Sequence, residues 1–228
     1  MTVTLTEGIY NINKPLDWTS FDVVAKFRSI SKIKKVGHAG SLDPLATGVL
    51  IVCAGRTFTA QIDKLMNTDK EYEMVIQFGY TTETYDREGE KQNENATSIT
   101  AEQIKAVLPQ FIGEIEQVPP MYSAIKVDGK KLYELARAGK TIEREARKIV
   151  IKSIEVVDIQ EGPFAKATLR VVSEKGAYMR SLAYDIGAKL GVGGYLLSLT
   201  RTRVGAFKIN DAIDWQNYVI PYQKEHVA

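Results

Sequence analysis

The sequence predicts a mixed α/β protein of the α+β type, built on a mixed central sheet. Segments in which apolar and polar residues alternate, as in strands with one buried face, are interspersed with segments that begin with helix-capping residues. Strands and helices do not alternate strictly, which makes a doubly wound parallel sheet less favourable. Neither a repeat nor a Pro/Gly/Ser linker divides the 228 residues, so a single domain over 1–228 is expected.

The first part of the chain shows three strand patterns and one helix pattern. The strands are Gly8–Asn13, Val49–Ala54 and Glu71–Gly79, and the helix runs from Thr19 or Ser20 to Ile30. One helix face is expected to bury Phe21, Val24 and Phe27, because a 3.6-residue period places them together. The last strand is expected to bury its alternating apolar residues, which are Tyr72, Met74, Ile76 and Phe78. The basic, glycine-rich segment Lys32–Thr47 is predicted to be a loop.

The rest of the chain continues this mixed pattern. Thr81–Ser98 is polar and predicts a long surface loop, and a capping box of Thr100 and Gln103 predicts a helix to Leu108. Asp128-Gly129 is a hairpin-type turn signal after the strand Tyr122–Val127. The remaining predicted elements are the helices Leu132–Ala138 and Tyr178–Leu190 and the strands Lys148–Ile159, Phe164–Val172 and Tyr195–Phe207.

Composition narrows the class of protein. Hydrophobic residues make up 44% and charged residues 25%, as in ordinary globular proteins. The single cysteine, Cys53, lies in an apolar strand pattern and is expected to be a buried, inert thiol in a reducing cytoplasm. No signal peptide and no apolar run of about 20 residues is visible, so no membrane association is expected. The net charge of +2 permits nucleic-acid binding without demanding it.

Most common catalytic sites are a poor fit to this sequence. With two histidines and one cysteine, a His/Cys metal site has too few ligands. A nucleophile elbow, a phosphate loop and a dinucleotide fingerprint are also lacking. The segment Gly37–Gly48 remains, in which Asp43 precedes Pro44 and is therefore biased towards an extended backbone. Asp43-Pro44 can either display a reactive carboxylate or serve only to form a turn.

Five motifs in order resemble the bacterial-type tRNA pseudouridine(55) synthases, the TruB family. The motifs are Asn13-Lys14-Pro15 followed by Trp18-Thr19-Ser20, Gly37–Gly48, Lys70-Glu71-Tyr72, Pro119–Tyr133 and Lys175–Arg180. The match extends from about Gly8 to Phe207. The resemblance implies a pseudouridine-synthase fold, with a mostly antiparallel central sheet flanked by helices and loops. It also implies a thumb-like RNA-binding insertion at about 119–147.

The resemblance further implies the reaction and its residues. A uridine in the tRNA T-loop would be extruded and isomerised without cofactor or metal, with Asp43 as nucleophile. Whether Asp43 attacks C1′, attacks C6 or first abstracts a proton stays open. Arg180 would pair with Asp43, and Tyr72 would stack on the uracil and serve proton transfer. The residues assigned to substrate binding are Lys14, His38, Tyr72, Lys126, Lys130, Lys131, Arg144, Arg147, Tyr178 and Leu199.

Each assigned residue also has a structural interpretation. Tyr72, Tyr178 and Leu199 could be ordinary core residues, Arg180 a surface arginine, and His38 a loop-capping group. Compared with the family pattern, Ser41 stands where threonine or alanine is commoner, and Ala177 replaces a frequent threonine. Many relatives continue into a C-terminal RNA-binding module, whereas only Gln216–Ala228 follows Trp215 here. Either the sequence is truncated or the module is naturally absent, and natural absence is expected because the tail shows no strand pattern cut midway.

Three other functions stay open. They are a synthase acting on another RNA, a non-catalytic RNA-binding or folding protein, and a metal-free hydrolase using Asp43 with Arg180. An RNA chaperone activity could accompany synthesis. The expected partner is tRNA, and the protein is expected to be a monomer without an obligate protein partner.

Overall fold

The computed structural model describes residues 5–123, 126–127, 129–140 and 142–219, without the side chains of residues 126, 127, 130, 131, 133 and 137. The chain divides into two compact units, Met1–Glu73 with Leu199–Ala228, and Met74–Ser198. The elements in chain order are β1 (Gly8–Lys14), α1 (Ser20–Ser31), β2 (Val36–Ala39), β3 (Ala46–Ala54), α2 (Arg56–Thr59), α3 (Ile62–Met66), β4 (Lys70–Phe78), β5 (Thr81–Thr82), β6 (Lys91–Gln92), α4 (Ala101–Val107), β7 (Gly113–Gln117), β8 (Lys126–Val127), β9 (Lys130–Lys131), α5 (Leu132–Arg137), β10 (Arg147–Gln160), β11 (Lys166–Ser173), α6 (Met179–Lys189), β12 (Gly194–Val204), β13 (Phe207–Lys208) and β14 (Ile213–Asp214). Short 3₁₀ turns cover Leu108–Phe111 and Ile209–Asp211.

In the first unit the strand order is β14-β1-β3-β12, with β2 on β3 and β13 on β12. Strand β3 is antiparallel to β1 and parallel to β12. Alternate residues of a strand point to opposite faces. One face of β3 joins a core cluster with α1 and Trp215, and the other joins a cluster with residues of α2 and α3. Strand β3 is therefore covered on both faces and gives a rigid support to the segment before it.

Helix α1 starts and ends as its capping residues predict. The Thr19 side chain accepts from the Asp22 N–H, and the Asp22 carboxylate accepts from the Thr19 N–H, which completes a capping box. Val24 and Phe27 are buried as expected. The prediction for Phe21 is wrong: its side chain is 63% exposed, because it lies on the solvent side of the helix, with Arg28 over its ring.

The segment Lys32–Thr47, predicted to be a loop, contains the short strand β2. Residues Val36–Ala39 pair antiparallel with Ala54–Ile51 of β3, so the backbone of this segment is hydrogen-bonded to a buried strand. Only residues 40–45 separate the two strands. Asp43 and Pro44 therefore lie in a short, anchored loop. Cys53 is fully buried in β3 as predicted, and burial raises its pKa to about 11.

In the second unit the strand order is β4-β11-β10-β7. Strand β10 is antiparallel to β11 and to β7. All four alternating apolar residues of β4 are buried, as predicted. Helix α4 follows the predicted Thr100–Gln103 capping box. Strands β8 and β9 pair as a hairpin at the predicted turn, of which Asp128 lies outside the described residues.

One predicted surface loop of this unit is partly buried. The polar segment Thr81–Ser98 contains Thr82 and Asp86, which are only 3% and 2% exposed. The mixed, mostly antiparallel sheet with helices confirms the predicted fold class. No helix in the described part of the chain has the length and apolarity needed to span a bilayer.

Candidate active site

Asp43 is half-buried in the loop between β2 and β3, and both neighbouring leucines anchor it. Leu42 and Leu45 are 6% and 2% exposed. The Ser20 hydroxyl donates to the Leu42 carbonyl at 3.1 Å and accepts from the Leu42 N–H at 2.8 Å. The Asp43 carbonyl accepts from the Ala46 N–H at 3.0 Å, which closes a turn before β3. The loop backbone is thus fixed on both sides of the carboxylate.

The buried ammonium of Lys14 lies under the same loop. Its Nζ donates to the carbonyls of Pro15, Trp18 and Pro44 at 2.8, 2.5 and 3.4 Å. Burial lowers the pKa of Lys14 to about 8, and the nearby Asp43 carboxylate acts in the opposite direction. These contacts make Lys14 a support of the loop, and its assignment to substrate binding stays a prediction.

A second buried cation, Arg201 of β12, lies near Asp43 and Tyr72. Its guanidinium donates to the carbonyl of Gly40 at 3.0 Å and to that of Ser41 at 3.3 Å. Burial lowers the pKa of Arg201, while the Tyr72 hydroxyl, to which it is hydrogen-bonded, and the Asp43 carboxylate raise it. Leu199, on the same strand, is 7% exposed and pairs in register with Ala46 at the end of the loop. Three of the five sequence motifs, together with strand β12, thus meet in the neighbourhood of Arg201 and Asp43.

His38 is half-buried on β2 and is held in its neutral form. Burial, and secondarily the charge of Arg201, lowers the pKa of its imidazole. Its buried Nδ1 has no hydrogen-bond partner among the residues that the structure describes. A neutral imidazole nitrogen can donate or accept one hydrogen bond, depending on the tautomer.

The second unit holds Arg180 and Tyr178 at the start of α6. The Arg180 guanidinium forms an ion pair with Asp86 at 3.5 Å and donates to the Tyr122 carbonyl at 2.7 Å. The Gln117 side chain pairs with both the N–H and the carbonyl of Tyr178, at 2.8 and 3.1 Å. Both residues are therefore firmly placed within this unit. The predicted pairing of Arg180 with Asp43 stays a prediction.

The predicted RNA-gripping residues lie in several elements of the second unit. The half-buried Arg144 is hydrogen-bonded to the Tyr85 hydroxyl, and Arg147 is exposed at the start of β10. Lys126, Lys130 and Lys131 lie in the hairpin of β8 and β9, but their side chains are outside the described part of the structure. Within that part, no group of three or more His, Cys, Asp and Glu side chains is placed to hold a metal ion.

Comparison with known proteins places this site in a family. Residues 28–179 match the sequence model described as TruB family pseudouridylate synthase (N terminal domain). Residues 180–222 match the model of the tRNA pseudouridylate synthase B C-terminal domain. The chain belongs to the TruB family of pseudouridylate synthases. The resemblance drawn from five sequence motifs is thereby confirmed.

Relatives match most of this TruB-family chain. It is 46% identical to the tRNA pseudouridine synthase B of Clostridium tetani over an alignment of 226 positions, which covers 95% of this chain and 77% of that protein. It is 48% identical to the protein of the same name from Clostridium kluyveri, with 96% and 77% covered. Among solved structures, a chain of a Cbf5-Nop10-Gar1 complex is 29% identical, with a TM-score of 0.72. That match covers 97% of this chain and 57% of the solved one.

Two buried charged residues of this family member were not singled out from the sequence. Arg201 lies in the predicted strand Tyr195–Phe207 and Asp86 in the predicted surface loop Thr81–Ser98, yet both are 2% exposed. For Arg201 a signal existed, because it follows the apolar residues of β12 in the middle of a predicted strand. A charged residue inside such a strand requires buried partners. Asp86 had no comparable signal.

Proposed function

We propose that this protein isomerises one uridine of the tRNA T-loop, at position 55, to pseudouridine, with Asp43 as the nucleophile. Family membership and the names of its relatives support action on tRNA. The observation that supports the site most directly is the environment of Asp43. Its half-buried carboxylate lies near two buried cations, Lys14 and Arg201, and Arg201 also interacts with Tyr72.

The reaction needs a fixed nucleophile rather than an external reagent. The C1′–N1 bond of uridine breaks, the uracil turns, and a C5–C1′ bond forms. C5 then loses its proton and N1 gains one, so atoms and electrons balance. A carboxylate can form the covalent intermediate. Whether Asp43 attacks C1′, attacks C6 or first removes a proton is left open.

The surrounding residues suit the separate demands of this reaction. Tyr72 is 8% exposed and offers a ring face for stacking on the uracil. Its hydroxyl, hydrogen-bonded to Arg201, is a candidate for the proton transfer at C5. Extruding the target base from the T-loop costs a few kcal/mol. His38, which is half-buried on β2, is proposed to contact a flipped nucleotide.

The second unit supplies basic residues that are proposed to bind RNA. Arg144, Arg147 and the hairpin lysines are proposed to contact the phosphates of the T-stem, which predicts an affinity that falls as salt rises. Recognition would then depend on the shape of the loop and on its splayed bases. The expected monomeric state and cytoplasmic location stay predictions.

The proposal is tested by a single-turnover assay on a T-arm hairpin RNA tritiated at C5 of its uridines. Wild-type protein should release tritium, and Asp43→Asn should bind the hairpin but release none. Asp63→Asn, which removes an exposed carboxylate from α3, is the matched control and should behave as wild type. No release from hairpin or full-length tRNA, despite tight binding, would leave an RNA-binding protein. Undiminished release by Asp43→Asn would assign the nucleophile elsewhere.

A further inference from the structure

Arg201 ties together the two ends of the loop that carries Asp43. On the N-terminal side of Asp43, its guanidinium donates to the carbonyls of Gly40 and Ser41. On the C-terminal side, its Nε donates to the carbonyl of Val49 at 2.7 Å. Three donors of one rigid, planar group therefore fix the distance between the two arms of the loop.

The backbone of Arg201 is itself fixed against the same loop. In the parallel pairing of β12 with β3, Arg201 is in register with Gly48. A Cβ atom on Gly48 would lie 2.3 Å from the Arg201 carbonyl oxygen, closer than any side chain can approach. The two strands approach this closely only because residue 48 is glycine. The backbone from which the guanidinium extends is therefore held rigidly next to the loop.

The positive charge of Arg201 is directed at the groups of the proposed reaction. Arg201 is 2% exposed, and burial alone lowers its pKa because it disfavours the charged form. The Tyr72 hydroxyl and the Asp43 carboxylate act against this effect. Backbone carbonyls could also be satisfied by a neutral donor, whereas a cation interacts more strongly with a carboxylate than a neutral donor does.

We propose that Arg201 is a positioning residue of this enzyme, which acts on the reaction through Asp43 and Tyr72. It holds the loop so that the Asp43 carboxylate has one orientation, and it holds the Tyr72 hydroxyl by a hydrogen bond. The inference rests on the proposed function. Lysine retains the charge but has a single nitrogen in place of the fork that reaches three carbonyls and a hydroxyl.

Arg201→Lys tests this inference in the full-length protein. The single-turnover rate constant on the T-arm hairpin should fall about 100-fold, the order of loss that a misplacement of about 1 Å causes. The Kd for the same hairpin should change less than about threefold, because the loop geometry and not the RNA contacts is altered. Arg203→Lys is the matched control, since Arg203 lies two residues along the same strand and pairs with Glu71 instead. It should keep the wild-type rate constant.

A double-mutant cycle separates positioning from a general structural role. Tyr72→Phe removes the hydroxyl that Arg201 contacts and leaves the three carbonyl contacts in place. If Arg201 acts partly through Tyr72, the double variant should lose less activity than the product of the two single losses. Circular dichroism should show all variants folded at the assay temperature. If Arg201→Lys does not fold, an unchanged rate constant in Tyr72→Phe overturns the inference.

The outcomes for this inference and for the proposed function are distinct. Absence of tritium release by wild type contradicts the function itself. Release by wild type together with a wild-type rate constant in Arg201→Lys contradicts only the positioning role. A fall in rate constant matched by an equal rise in Kd also contradicts it, because the loss would then be one of RNA binding.

Discussion

The Arg180 guanidinium lies 3.5 Å from the Asp86 carboxylate, and the two side chains are only 6% and 3% exposed. Asp86 is held in turn by the Thr84 hydroxyl at 2.6 Å and by the Glu88 N–H at 3.0 Å. The ion pair thus joins the start of α6 to a segment that its polar composition assigns to the surface. Because both charged groups are removed from water, each needs the other as its partner to remain favourably buried.

We expect Asp86→Asn to destabilise the protein by about 3 kcal/mol, because it leaves a buried guanidinium without this carboxylate. The measurement is the free energy of unfolding from urea titration. Glu114→Gln is the matched control, since it breaks an ion pair of 2.8 Å in which both side chains are mostly exposed. Its effect should be below about 1 kcal/mol. Equal effects of the two changes would show that burial of the Arg180–Asp86 pair has no energetic consequence.

Gly48→Ala should be far more destabilising than Gly113→Ala. Both glycines have nearly the same backbone angle, φ of 101° and 100°. A left-handed backbone costs an L-residue about 1–2 kcal/mol, and both variants should show that loss. Only at Gly48 would the new Cβ meet the Arg201 backbone, whereas nothing lies within 4 Å at Gly113. Urea titration of both variants isolates the contact, and a difference below about 1 kcal/mol would contradict the close approach of β3 and β12.

Ser20→Ala should impair both stability and catalysis. It removes the hydroxyl that satisfies the buried N–H and carbonyl of Leu42, at a cost of about 1–3 kcal/mol. Because Leu42 precedes Asp43, we also expect a lower single-turnover rate constant with an unchanged Kd for the hairpin. Ser98→Ala, at an exposed serine, is the control and should change neither quantity. Full activity in Ser20→Ala would mean that the loop holds its geometry without this contact.

His38 should titrate below its ordinary pKa of 6.5, because burial and the charge of Arg201 both disfavour its cation. The unfolded chain then binds more protons than the folded one as the pH falls below 6.5. Stability contributed by neutral His38 is therefore complete above pH 6.5 and is lost as the pH falls through the folded pKa.

NMR titration of the imidazole Cε1–H signals measures this directly, since the sequence contains only one other histidine, His226. His38→Gln identifies the His38 signal by its disappearance. The same variant should lose less stability than wild type on acidification. A His38 signal that titrates at or above pH 6.5 would contradict the expected environment.

Local structure could be predicted from the sequence where it depends on residues that are close together in the chain. The capping boxes at Thr19 and Thr100, the hairpin turn at Gly129 and the alternation in β4 each involve residues a few positions apart. Each was predicted at the right place. The exposure of Phe21 shows where such patterns are weak, because a short helix pattern does not fix which side faces the core.

Buried charges could not be predicted in the same way. Arg201 contacts Gly40, from which it is separated by 161 residues, and Arg180 pairs with Asp86, which lies in a different predicted element. A charged side chain is buried only when distant segments supply its partners. The family resemblance supplied the role of Asp43, which the residues alone left as either turn chemistry or a nucleophile.

The contact between Arg201 and Ser41 has a consequence for sequence variation. Arg201 holds residue 41 by its carbonyl oxygen, which every amino acid carries, and the Ser41 side chain is exposed. This hydrogen bond therefore does not depend on which side chain residue 41 carries. A library of all substitutions at position 41 should remain broadly active, unlike one at residue 48. The same contact therefore tolerates Ser41 at a position where threonine or alanine is expected.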